Sequence, residues 1–173
     1  MFAEVVKAGV VFFTAVVVQT AIVSAFEPGR GTADLVLVTL TAAALLRGSI
    51  FGALAGFYAG FLLDAANLET LGLSSLLLTV AGYWIGRYGE TTGRDRAHAP
   101  LLAIAVVTVL FTLGSLAMHY LLGDPVSAES AIDALPTQIV LNLALTIPVY
   151  ALSRRIFKPP GTRAAMEVEL GTR

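Results

Sequence analysis

The residues in this chain that could do chemistry are an acid closing an apolar run, two strips of hydroxyl and amide side chains, and two histidines. Asp64 ends a stretch in which Gly48, Gly52, Gly56 and Gly60 recur at every fourth position. An acid within a membrane segment can carry a proton or a cation and is a functional candidate by default. Asn67 and Glu69 follow at once, however, so the chain is already turning into a polar loop. Asp64 is therefore expected to fix that loop as a hydrogen-bond acceptor. Gln138, Asn142, Thr146 and Tyr150 repeat at four-residue steps, and Thr108, Thr112, Ser115 and His119 make a comparable strip. Residues four apart share a helix face, so each strip has to face protein or a cavity. Interhelical hydrogen bonds of this kind, worth about 0.6 kcal/mol apiece, make the strips structural glue. The functional alternative is a polar pocket for a small ligand, opened where Pro148 removes a backbone bond.

Catalysis has no such footing. His98 and His119 belong to no metal-ligand spacing, and neither a GxSxG elbow nor a phosphate loop occurs. No cofactor or metal is expected. The absence of cysteine excludes disulfides, thiolate metal sites and cysteine nucleophiles. A net charge of -1, with no basic patch interleaved with aromatics, argues against nucleic acid as a partner.

The glycines carry the strongest pattern. A strip without side chains lets another backbone approach closely, whereas in water each helix-interior glycine costs roughly 1 kcal/mol relative to alanine. The strip thus points to a membrane helix built to be packed against, and Gly82 and Gly86 mark a second such helix. Two uses follow. The glycines seat another helix of the same chain, or they seat the helix of a partner.

The elements that must hold these residues are apolar and long. Of 173 residues, 57% are hydrophobic and 13% charged, against about 25% charged in soluble domains, and mean hydropathy is +0.82. Cutting at charges, prolines and polar clusters gives six segments, 5–26, 33–46, 49–63, 71–86, 100–122 and 134–153. The expected fold is an all-α integral membrane protein, a six-transmembrane-helix bundle surrounded by lipid. Segments two to four are shorter than the roughly 20 residues of a straight span, so flanking turns must complete them or the bilayer must thin. Residues 158–173, opening with Lys158, Pro159 and Pro160, form a short tail. A cleaved signal peptide is the competing reading of the N-terminus, but the apolar run from Ala8 to Phe26 exceeds the usual signal core.

Lysine and arginine accumulate in cytoplasmic loops. With both termini inside, Lys7, Arg47, Arg87, Arg94, Arg96, Arg154, Arg155, Lys158, Arg163 and Arg173 are cytoplasmic, and Arg30 is the one basic residue left outside. Loops 64–70 and 123–133 carry Asp64, Glu69, Asp124, Glu129 and Asp133 and no basic residue. Tyr83, Trp84 and Tyr88 flank Arg87, as interfacial rings do.

The segment Gly52-Ala-Leu-Ala-Gly56-Phe57-Tyr-Ala-Gly60-Phe61-Leu62-Leu63-Asp64, followed by Leu71-Gly72-Leu73 and Gly82-Tyr83, resembles the rod shape-determining protein MreD family. Length and six-span layout agree; outside residues 48–86 the match is one of hydropathy. The resemblance implies a non-enzymatic subunit of the bacterial cell-elongation machinery in the inner membrane. Implied partners are MreC, a single-span protein, together with RodA, a class-B penicillin-binding protein and MreB. It also implies a fold similar to the substrate-binding subunits of energy-coupling-factor transporters, so a small-molecule-binding transporter subunit is the alternative function. This sequence does not obviously supply the converging groups such a pocket needs.

Overall fold

The computed structural model describes residues 2–25, 32–68, 70–92, 98–123 and 127–157. Among them the chain is all helix: α1 Phe2–Ala25, α2 Leu35–Arg47, α3 Ser49–Asn67, α4 Leu73–Thr92, α5 Ala99–Leu121 and α6 Ala128–Ile156. Lipid cannot hydrogen-bond a peptide group, so apolar stretches in it must satisfy their backbones internally, and helices do so. α3, α5 and α6 are each long and apolar enough to cross a membrane. α6 begins at Ala128, ahead of its apolar segment, because Ser127 caps it by accepting from the Ser130 N–H and its polar first turns carry Glu129 and Asp133.

The shortest helix lies at the centre. Every residue of α2 from Val36 to Leu46 is buried, and α2 packs against all five others. Around it α1, α3, α4, α5 and α6 follow in that order, each packing on the next. A helix apolar on all sides can be buried all round, and Leu37, Leu40, Leu78, Ile104 and Phe12 fill the resulting core. Thirteen residues at 1.5 Å each give α2 a length of about 20 Å, short of the roughly 30 Å hydrocarbon core. α2 starts level with the middle of α6, since the Asp34 N–H donates to Oδ1 of Asn142 at 2.7 Å.

One end of the bundle gathers the positive charge. Arg47 lies over the Phe51 ring, 5.3 Å from its centroid. Phe51 in turn meets Phe157 edge-on at 5.7 Å, which brings the Arg154 and Arg155 end of α6 to the same level. Ser49 reaches Glu90 near the end of α4, so Arg87 belongs to this end too. Lys7 joins them because α1 runs parallel to α3, its Thr20 and Ala21 lying beside Leu62 and Ala66. Arg30, Arg94, Arg96 and the tail 158–173 lie outside the described residues, as do Glu69 and Asp124 of the acidic loops.

Candidate functional site

The α3–α4 pair is a backbone-to-backbone seam. A Cβ on Gly52 would fall on the Gly82 carbonyl oxygen, one on Gly56 on that of Leu78, and one on Gly60 on the backbone of Ser75. The reverse holds for Gly82 against Gly52, and a Cβ on Gly86 would lie 2.5 Å from the Gly48 carbonyl. The register is antiparallel and constant over these steps. The Ser75 hydroxyl donates across the seam to the Phe57 carbonyl at 3.4 Å. Gly89 continues the row, its Cβ position 2.9 Å from the Leu45 carbonyl.

Gly48 departs from the expected strip. It is not a residue of the α3 face but the corner between α2 and α3, with φ +97°, a conformation that glycine adopts without a steric penalty. Its N–H donates to Ala44 and its carbonyl accepts from Gly52, so one residue ends α2 and starts α3.

Carboxylates pin the seam at both ends. Asp64, fully buried, accepts from the Gly72 N–H at 2.8 Å and the Ser74 N–H at 3.1 Å. A side chain at the end of α3 thereby satisfies the free donors at the start of α4, where the helix dipole also favours negative charge. The turn between them uses left-handed conformations at Leu68, φ +57°, and Gly72, φ +102°. At the opposite end Glu90 of α4 accepts from the Ser49 N–H at 2.8 Å and from the Ser49 hydroxyl at 3.1 Å. The Ser49 backbone donor beside Glu90 holds its carboxyl below the ordinary value of 4.5, with the Ser49 hydroxyl and Arg87 adding to the effect.

A buried polar network surrounds the start of α2. Asp34 caps that helix, its Oδ1 accepting from the Leu37 N–H at 2.8 Å, while Oε1 of Gln19 accepts from the Val36 N–H at 2.7 Å. Asn142 takes the Asp34 N–H and donates through Nδ2 to the Thr108 hydroxyl at 3.0 Å. Irregular backbone at membrane depth is tolerated only where protein encloses it, and this network encloses it with side chains from α1, α5 and α6. Nearby the Thr112 hydroxyl donates to Gln138 at 3.3 Å. Thr146 is satisfied within its own helix by the Asn142 carbonyl.

The structure thus brings Gly52, Gly56, Gly60, Gly82 and Gly86 together, with Gly48 at the corner and Asp64 at the seam's end. Gln138 and Asn142 meet the α5 strip at Thr112 and Thr108, Asn142 also holding the start of α2, and no buried side-chain nitrogen or oxygen among the described residues lacks a partner. Asp34, Gln19 and Glu90 were missed. Asp34 had a signal, since an acid just before an apolar run is an N-cap pattern; Gln19 and Glu90 cap helices other than their own, which no local spacing reveals.

These features define an all-helical membrane protein in which the seam glycines and the buried polar side chains described above pack its own helices. The family model described as rod shape-determining protein MreD matches residues 3–156. The chain belongs to the MreD family, a family of cell-shape-determining membrane proteins. No curated protein and no solved structure matches it.

Proposed function

We propose that this chain is a non-enzymatic, multi-pass subunit of the bacterial inner membrane that binds the transmembrane helix of an MreC-like single-span protein and helps organise the elongation machinery. Membership of the MreD family across residues 3–156 carries this reading. Both termini are cytoplasmic in it, with the basic end of the bundle facing inward. RodA, a class-B penicillin-binding protein and MreB are further partners of the assembled complex. The glycine seam serves the fold, because α4 already lies against it; the partner helix meets the outer faces of the bundle. In lipid such docking draws on van der Waals packing and hydrogen bonds, since apolar burial offers no gain over lipid tails.

The test is co-purification of the tagged full chain from its native membranes in mild detergent, read by mass spectrometry. A single-span protein with a large extracytoplasmic domain is the expected companion. Recovery of an ATPase and a transporter membrane component in its place overturns the reading.

A further inference from the structure

A cavity of about 700 Å³ opens between α4 and α5, lined by Val80, Trp84, Tyr88, Leu102, Val106 and Leu110 among others. Its lining is aliphatic and aromatic apart from Met118. From Tyr88 to Leu76 along α4 it extends about 18 Å at 1.5 Å per residue, comparable to the roughly 15 Å of one leaflet's hydrocarbon. Trp84, Leu102, Val106 and Leu110 stay more than half exposed in the bundle.

The two ends of this groove differ. At the outer end α4 and α5 touch, a Cβ on Gly114 lying 2.8 Å from the Leu77 side chain. At the basic end Trp84 and Tyr88, rings of the type that settle at headgroup depth, flank Arg87 in the sequence. The Arg87 side chain is 58% exposed, and its 3.5 Å contact with Glu90 is a weak one, since Glu90 is also engaged by Ser49.

A crossing helix docks best where small residues let backbones approach. The groove's rims carry large branched and aromatic side chains instead, against which a flexible hydrocarbon chain conforms. We infer that the α4–α5 groove is a binding site for an anionic phospholipid of the inner leaflet, its acyl chains lying along the groove and its phosphate drawn to Arg87. Positive charge at the mouth of an apolar slot between transmembrane helices selects anionic headgroups. The groove lies apart from the buried network and meets the seam only where Arg87 touches Glu90; its leaflet rests on the proposed orientation, but it does not depend on which protein partner the chain binds.

The experiment is native mass spectrometry of the delipidated full chain with phosphatidylglycerol or phosphatidylcholine of equal chain length. Retention of phosphatidylglycerol is expected to exceed that of phosphatidylcholine by roughly fivefold, the scale of one basic side chain at a membrane surface. Arg87→Gln should bring the two lipids level. Val106→Trp, or Leu110→Trp if the first does not fold, should displace both lipids with Arg87 intact. The inference fails if Arg87→Gln keeps the preference, or if the folded tryptophan variant binds both lipids as before. It fails equally if that variant keeps its lipid and loses a co-purifying single-span protein, which would make the groove a helix site.

Discussion

Asp64 and Glu90 do the same work at opposite ends of one helix pair: each takes the free N–H groups that begin the other's helix. Asp64 is fully buried, so no water replaces it, and an orphaned buried donor costs about 1–3 kcal/mol. Asp64→Ala is therefore expected to destabilise the protein by about 2 kcal/mol or more, read as a fall in thermal midpoint in detergent. Asp64→Asn keeps one acceptor oxygen and should lose about half as much. An unchanged midpoint in Asp64→Ala would remove the capping role. A proton or cation carrier predicts the contrary pattern, with Asp64→Asn as stable as the parent and as inactive as Asp64→Ala. Asp64 could be placed from its sequence position because the polar loop follows immediately. Asp34 could not be ranked beside it, since its burial depends on Gln19 of the preceding helix and on Asn142 from α6, more than a hundred residues further on.

Helices make the second scale, and there the glycines divide by what they face. Gly56 sits on the Leu78 backbone, whereas nothing lies within 4 Å of a Cβ on Gly9 in α1. Gly56→Ala must push two backbones apart and is expected to cost about 3 kcal/mol or more, the upper range for overpacking. Gly9→Ala should be neutral or gain up to about 1 kcal/mol from helix propensity. Size-exclusion profiles and melting curves of the two variants check the contrast, and similar behaviour would mean that the seam is looser than described. The four-residue spacing made the packing face of α3 legible. It did not reveal that Gly48 is a corner, because a glycine at φ +97° and a glycine in a helix look alike in a sequence.

At the scale of the whole molecule, charge and topology meet in a test the chain is suited to. It has no cysteine, so single substitutions report cleanly on sidedness. Leu71→Cys, in the turn between α3 and α4, is expected to react with a membrane-impermeant maleimide added to intact spheroplasts. Arg155→Cys, at the basic end, should react only after the membrane is opened. Labelling of Arg155→Cys alone from outside would reverse the proposed orientation, and labelling of both would break the arrangement that puts the two ends on opposite faces. The same basic end holds Arg87 and the mouth of the α4–α5 groove, so this experiment also fixes the leaflet from which a lipid would enter.

The sequence by itself determined the class of protein, the helices and the family. Lipid leaves apolar chain few choices besides helix, and the basic residues, counted along the chain, already pointed to one face. Only the tertiary structure decided which helix is central and where the chain's polar groups are spent. Lipid tails and a protein core are both apolar, so burial leaves no contrast in the residues themselves: α5, the most apolar of the three long helices, lies mostly outside, while α2 is enclosed on every side. Which of two equally oily surfaces meets protein is settled by close packing at the glycines and by hydrogen bonds between residues more than a hundred positions apart, such as Asp34 and Asn142.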